Sequence, residues 1–373
     1  MNVKYKSENR SILAFATQGK DSNDELRLKN LLSNLNVEYY PFKRDKKFNS
    51  FLEIVRTIKK KRNSLIIMEG TGFFGGLALI IGKKLFNADY VFSSGDAVYP
   101  YLTRKVKYLK PLFYLYEKML YSNAIGFIGW TPYLAGRALT YGTKFVMTAP
   151  GWSPYEKNNN RSEINSIRES IGIQEDDLVI GIVGSLHWDK KLSYCYGSEL
   201  VSAAKLIKRD NVKFLIIGDG TGKKILEQII VENKLDKKVF MLGKIDRNDL
   251  PKYLSLLDVA SLPQSVDKVG SFRYTTKISE YLEMKLPIVT GNLPFSYDVG
   301  DNFFIRVSGC DPWDIRYINA LVEFLENLTS KDIMEMKSSI PNKVDIFNKN
   351  SQILRTTNFI KDLLRWKNEN GLD

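Results

Sequence analysis

The stretch VIGIVGSLHWDKK, Val179 to Lys191, is an apolar run that breaks into a glycine turn and closes on two lysines. Consecutive Val and Ile without a polar interruption fit a strand of a parallel sheet, buried on both faces. Three further segments repeat the theme. FLIIGDG (Phe214 to Gly220) is a strand ending in a tight turn. VFMLGKIDRNDLPKYLSLLDVASLP (Val239 to Pro263) reads as strand, glycine, helix and strand. In YTTKISEYLEMKLPIVTG (Tyr274 to Gly291) a helix carrying Glu280 leads into a buried strand. Each glycine turn falls at the C-terminal end of its strand, the edge where open parallel sheets bind ligands.

The same alternation extends upstream. Strands fit Ser11 to Thr17, Ser64 to Gly70, Tyr90 to Gly95 and Ala124 to Trp130. Helices fit Asn23 to Leu35, Phe48 to Lys61, Gly75 to Phe86, Leu109 to Tyr121 and Tyr133 to Tyr141. The polar, Pro-, Gly- and Asn-rich stretch from Ala149 to Glu163 reads as a linker, and the last periodic helix runs from Ser351 to Trp366. Alternating strands and helices make this an α/β protein, and 373 residues exceed one ordinary core, so two domains are expected.

With 44% hydrophobic and 26% charged residues the chain has a soluble, globular composition. The start MNVKYKSENR has no apolar core behind it and reads as no secretory signal. The longest apolar run, Gly72 to Gly82, is about half the ~20 residues of a membrane-spanning helix. Cys195 and Cys310 show no metal-ligand spacing and are expected to stay reduced. His187 is the sole histidine and no Asp-x-Asp pair occurs, which speaks against a His-ligated metal and against a carboxylate pair holding a divalent cation.

The net charge of +13 is unevenly placed. Residues 1–150 hold 24 Lys and Arg against 11 Asp and Glu, whereas residues 151–373 hold 31 of each. Clusters at Lys43 to Lys47, Lys59 to Arg62 and Arg104 to Lys107 carry much of the surplus. It reads either as a solvated face or as a surface for an anionic partner. The mixture of lysine with Phe and Tyr in KYLKPLFYLYEKMLY (Lys107 to Tyr121) suits an interfacial segment against anionic lipid. A nucleic-acid partner is disfavoured, since no zinc-finger spacing, basic zipper or Arg- and Asn-rich recognition helix is present.

Taken in order, the four glycine-turn segments resemble the donor-sugar domain of a retaining, two-domain nucleotide-sugar glycosyltransferase of the family 4 type. The resemblance implies the GT-B fold: two Rossmann-like domains facing a central cleft, with the C-terminal helix crossing back to the N-terminal domain. On that plan residues 1–152 with 351–373 form the acceptor domain, about 153–162 the linker, and 163–350 the donor domain. Gly184 and Lys190 match the family's glycine and lysine at the diphosphate, while Ser185 stands where the family keeps an arginine. Arg273 or Lys191 is the candidate replacement cation. Alone, the segment reads equally as a polar turn. His187 lies in the same loop and is a candidate donor contact.

Glu280 matches the second glutamate of the family's E-x7-E pattern, which holds the donor ribose; Phe272 occupies the first. Thr275, Thr276 and Lys277 open the helix with N–H groups suited to phosphate, and a threonine there is also an ordinary N-cap. Gly218-Asp219-Gly220 reads as a structural turn, and Gly243 with Lys244 as the loop at the nucleotide base. On the acceptor side, Gly19 follows the first strand as a candidate donor-phosphate contact. Asp96 matches the aspartate of a His-Asp pair whose histidine position holds Gly95. Glu69, Gly70 and Thr71 are expected to line the acceptor cleft. Trp130 and Tyr133 stack on a sugar or pack in the core.

The expected activity is metal-independent, retaining transfer from a nucleotide sugar to a glycan or lipid-linked acceptor, in envelope or exopolysaccharide assembly. Lys190 would neutralise the diphosphate, Asp96 orient an acceptor hydroxyl, and Arg273 supply the missing cation. No cofactor is expected beyond the nucleotide-sugar co-substrate. The protein would be cytoplasmic and peripheral at the inner face of the plasma membrane, held through its basic N-terminal domain. Other readings are an epimerase-like GT-B enzyme, a non-catalytic sugar-nucleotide binder with a soluble partner and, weakest, a nucleic-acid-binding protein.

Overall fold

A computed structural model of the chain describes residues 10–155, 160–309 and 311–369. Residues 156–159 of the expected linker, Cys310, the polar N-terminal stretch before Arg10 and the last four residues lie outside the described residues. The chain divides into two compact units. The first takes the residues up to Gly151, the short piece Phe272–Tyr274 and the segment from Asp345 onward; the second takes Trp152–Ser271 and Thr275–Val344.

The first unit is built on six parallel strands, β1 (Ile12–Ala16), β2 (Val37–Tyr39), β3 (Leu65–Glu69), β4 (Asp89–Ser94), β5 (Gly126–Gly129) and β6 (Phe145–Thr148). Their order is β2-β1-β3-β4-β5-β6. The second unit carries β7 (Leu178–Val183), β8 (Val212–Ile217), β9 (Val239–Gly243), β10 (Val259–Ser261), β11 (Ile288–Gly291) and β12 (Phe304–Val307), ordered β12-β11-β10-β7-β8-β9. Each strand is short and apolar because helices cover both faces of the sheet, and β1, β3 and β4 are buried end to end. Around them Phe92, Tyr121 and Phe127 pack with ring centroids 4.8–5.2 Å apart. In the second unit Ile180, Ile182, Phe214 and Ile216 form the equivalent centre.

Strand order reverses once in each sheet, between β1 and β3 and between β7 and β10. Such a switch point splays the two following loops apart and leaves a crevice at the strands' carboxyl ends. Registers bring those ends level. Ala16 pairs with Glu69 at the end of β1 and β3, and Val183 with Ile217 at the end of β7 and β8.

The C-terminal helix Lys349–Glu369 returns to the first unit after the chain has built the second. Gly126 makes room for it: a Cβ there would lie 2.9 Å from Leu363 Cδ1 and 3.1 Å from Phe359 Cζ. Trp366 meets Phe145 edge to face at 5.0 Å, and Lys367 pairs with buried Asp89. Elsewhere the elements differ from the sequence reading in detail. A helix, Arg161–Ser170, starts inside the expected linker, capped by the Asn160 side chain accepting from Glu163 N at 3.3 Å. It buries no residue fully and begins in the polar Asn-rich stretch that reads as linker, with Ile164 and Ile167 as its sole apolar pair. The half-buried β2 and β6 were missed because runs of three and four residues are too short to show a period.

Candidate active site

In the second unit the loops after β7, β8 and β9 are zipped together by their backbones. Gly184 N donates to Ile217 O (2.9 Å), Leu186 N to Asp219 O (3.0 Å), Gly218 N to Gly243 O (2.8 Å) and Gly222 N to Leu186 O (2.7 Å). Contact is so close that a Cβ on Gly218 would sit 1.8 Å from Gly184 O, and one on Gly220 2.6 Å from Leu186 O. Only glycine fits. The turn Gly218-Asp219-Gly220 is thus the wall that shapes the Gly184 loop. Ser185, His187, Lys190 and Lys191 lie exposed along that loop, Lys190 and Lys191 inside a turn closed by the Asp189–Tyr194 bridge.

Across the switch point, the helix Thr276–Glu283 follows β10 with Thr275 as its N-cap. The Thr275 hydroxyl makes no capping bond, and its Oγ1 is buried without a hydrogen-bond partner. Burying a hydroxyl that way is costly, which marks the spot as one a ligand acceptor would complete. Lys277 stands one turn away, its Nζ 4.1 Å from the Tyr196 ring centroid and 3.0 Å from where a Gly184 Cβ would be. Lys277 is therefore the cation the structure brings to Gly184. Glu280 lies on the next turn, mostly buried; burial pushes its carboxyl up, and Lys277 and Arg247 pull it back. Arg247, in the loop after β9 that Gly243 and Lys244 open, also acts on Tyr155, whose hydroxyl is raised by burial and by Glu280. Sequence reading missed Arg247, Tyr155 and Tyr196, because no spacing rule ties them to Glu280.

Behind this crevice Glu199 is fully buried. Its carboxylate accepts from Tyr194 OH (2.9 Å), Gly197 N (3.0 Å) and Ser261 Oγ (3.2 Å), and burial pushes its pKa up to about 7. It ties the end of β10 to the Tyr194–Gly197 segment that leads into its own helix.

The first unit's switch point lies between the loops after β1 and β3. Gly19 and Gly70 both have positive φ, 98° and 100°, and a Cβ on Gly70 would lie 2.5 Å from Thr17 Oγ1 and 3.2 Å from Asp24 Oδ2. Glu69 is buried and bound to Arg27 at 2.5 Å, and Trp130 Nε1 donates to it at 3.2 Å. Arg27 is itself buried, lies 4.5 Å over the Trp130 ring and also donates to Ser93 Oγ (3.1 Å) and Ala149 O. Trp130 is thus engaged by Arg27 on its ring and by Glu69 at its nitrogen. Gly95 packs so tightly against it that a Cβ would lie 2.8 Å from Cδ2. Thr71 is buried in the same loop.

Asp96 accepts two bonds from Arg273, at 2.7 Å from Nε and 2.5 Å from Nη2. Arg273 belongs to the first unit, where this pair holds it. Phe272 goes with it: its carbonyl accepts from Thr131 Oγ1 at 2.9 Å and its ring packs against the first unit's core. That explains why the first glutamate of the pattern is absent, since the position is spent on packing. Asp24 is the carboxylate that sequence reading missed. Burial, with Glu69 and Asp96 nearby, pushes its pKa up to about 6. Its place in the first turn of the helix Asn23–Leu31 was indistinguishable from an ordinary acid at a helix start.

Among the described residues no group of three or more His, Cys, Asp or Glu is gathered that would hold a metal ion, and no helix is long and apolar enough to cross a membrane.

Comparison with known proteins agrees with this layout. Residues 163–337 match the family described as glycosyl transferases group 1. An uncharacterized glycosyltransferase of Methanocaldococcus jannaschii is 30% identical over 122 residues, 32% of this chain and 30% of its own length. The alpha-monoglucosyldiacylglycerol synthase of Acholeplasma laidlawii is 27% identical over 139 residues, 36% of this chain and 32% of its own. These matches therefore span about a third of the length of the curated relatives. Among solved structures, the Anabaena protein HepE in complex with UDP-glucose superposes with a TM-score of 0.65 at 16% identity, covering 93% of this chain and 99% of that one. The chain has the GT-B fold, and over residues 163–337 it is similar to the group 1 glycosyl transferases.

Proposed function

We propose that this protein moves a sugar from a nucleotide-sugar donor to a glycan or lipid-linked acceptor, with retention at the anomeric carbon and without a metal. One observation carries the reading. At the β7/β10 switch point, a glycine-walled loop, the free N-terminus of the helix Thr276–Glu283, an unpartnered Thr275 hydroxyl and Lys277 converge, with Glu280 one turn beyond. A diphosphate leaving group gathers negative charge as its bond to the sugar breaks. Backbone N–H groups at a helix start and fixed cations stabilise that charge more in the transition state than in the ground state. Lys277 and Lys190 would supply the cations and Glu280 would accept the ribose hydroxyls. In the first unit, Asp96, fixed by Arg273, would orient the acceptor hydroxyl. The departing phosphate would take its proton on the same face, which leaves the configuration unchanged. The basic first half would hold the enzyme at an anionic cytoplasmic leaflet, where envelope polysaccharides are built on lipid carriers.

The relatives support this class: one makes a glucosylated diacylglycerol by name, and HepE was solved with UDP-glucose. A thermal-shift series with UDP, GDP, ADP and dTDP sugars identifies the donor, because ligand binding raises apparent stability by mass action. Proton NMR of the first product then gives the anomer. An inverted product would sink retention, and loss of turnover in EDTA would sink metal independence. Ser185 favours a second reading, a sugar-nucleotide binder without turnover, which would show stabilisation by a donor but no nucleotide release.

A further inference from the structure

The helix Lys110–Ser122 is apolar on two faces. One face turns Phe113, Tyr116, Leu120 and Tyr121 into the core of the first unit. The opposite face is not polar. Tyr108, Leu109, Leu112 and Leu115 recur at helical spacing, and all are exposed: Tyr108 by 96%, Leu112 and Leu115 by 52% each. Val106 and Tyr114 beside them are exposed as well. A helix that is apolar all round needs apolar surroundings on every side, and this one has them on one side only.

Charge around the patch has one sign. Arg104, Lys110 and Lys118 are exposed along it. Between Val98 and Ser122 the single acid is Glu117, which is buried, receives Arg137 at 2.6 Å and accepts from Tyr99 N at 3.0 Å. The basic cluster Lys59 to Arg62 is different in kind. Lys61 is paired with Glu38, and the chain from Phe51 to Leu65 exposes no large apolar side chain. The Val106–Leu115 segment joins cations to a run of exposed apolar side chains, whereas the Lys43–Lys47 cluster adjoins a single one, Phe48.

We propose that this segment is a membrane wedge: Tyr108, Leu109, Leu112 and Leu115 enter the boundary between headgroups and acyl chains of an anionic bilayer, while Arg104, Lys110 and Lys118 meet lipid phosphates. The inference rests on the membrane reading above and adds an apolar contact to an electrostatic one. A second copy of the chain is a poorer occupant, because a two-fold contact would set this basic surface against an identical basic one. The wedge follows directly on the candidate acceptor loop, since Asp96 is two residues before the helix Val98–Lys105 that leads to it. A lipid-carried acceptor held at the wedge is therefore delivered to the unit that would bind it.

The test uses the full chain and vesicles of phosphatidylcholine with or without phosphatidylglycerol. Leu112→Asp with Leu115→Asp should lower flotation with anionic vesicles by roughly tenfold or more, because burial of apolar area carries interfacial binding. These side chains face solvent, so Tm should hold. Tyr108→Trp should add an emission that shifts blue on anionic vesicles and is quenched by brominated lipid. Wild type that floats with anionic vesicles while the new indole stays solvent-like overturns the wedge and leaves the electrostatic reading standing. Wild type that ignores anionic vesicles at low salt overturns both. Self-association in solution that is lost in the double variant, without insertion, assigns the patch to a second copy and overturns the proposal.

Discussion

The two units share one plan, six parallel strands with a single reversal of order, yet their switch points hold opposite kinds of chemistry. In the second unit the crevice between β7 and β10 is made of backbone: glycine turns, a helix start and one lysine poised over it. In the first unit the crevice between β1 and β3 is made of side chains. Three carboxylates gather there, Glu69 claimed by Arg27, Asp96 claimed by Arg273, and Asp24 left with a raised pKa. On the proposed function this contrast has a reason: the diphosphate is common to all nucleoside-diphosphate sugars, so backbone groups would suffice to recognise it. The acceptor varies, so on the same reading side chains would select it.

The sharpest way to break this contrast is to add a methyl group to each unit. Gly218→Ala would press a Cβ to 1.8 Å from Gly184 O at a φ of 150°, and should cost about 3 kcal/mol together with nucleotide binding. Gly136→Ala, in the helix Pro132–Thr140 with nothing within 4 Å, should instead stabilise by up to about 1 kcal/mol. Denaturant titration of both reads the difference; a tolerated Gly218→Ala would show that the loops are not locked together.

Glu280→Gln should weaken binding of donor and of free nucleotide diphosphate alike, by roughly 1–3 kcal/mol, as for a hydrogen bond to a charged group. Calorimetry with the nucleotide identified by thermal shift decides it, and equal affinity in variant and wild type removes Glu280 from the ribose.

The two lysines separate binding from chemistry. Lys277→Ala should cost about tenfold in nucleotide diphosphate affinity, some 1.4 kcal/mol. Lys190→Ala, on an exposed loop, should lower kcat more than it raises KM. Normal turnover by Lys190→Ala would leave Lys277 as the sole lysine at the leaving group.

The smallest effect belongs to Asp24. Its ordinary pKa of 3.8 rises to about 6 in the folded protein, so the native state holds a proton that the unfolded chain has released. Stability from this group is intact below about pH 4, falls as pH climbs toward 6 and stays lost at neutrality. Asp24→Asn should therefore stabilise at pH 7.5 by on the order of 1 kcal/mol and leave stability at pH 4 unchanged. Thermal unfolding at the two pH values checks both halves, and a destabilised variant at pH 7.5 would mean that Asp24 is bound to a partner as an anion.

Legibility followed the same divide. Val179 to Val183, the Gly184 loop and the Glu280 helix were readable because a buried parallel strand, a glycine turn and a helix start are local patterns, each set within a few residues. Their order along the chain was enough for the fold. Lys277's approach to Gly184, 93 positions earlier in sequence, was not, since nothing local fixes which cation arrives.

What the sequence determined by itself was therefore the α/β architecture, the site of the glycine walls, the basic first half and the position of Glu280. These follow from hydrophobic period, from backbone conformations that only glycine adopts and from counting charges. Tertiary structure alone decided that Arg273 and Phe272 join the first unit, that Glu69 is taken by Arg27 and that Lys277 faces Gly184. It also decided that one helix, Lys110–Ser122, keeps a second apolar face in solvent. The reason is physical: Asp96 and Arg273 meet across 177 residues, and a contact of that span depends on how whole sheets and helices pack, which no local pattern encodes.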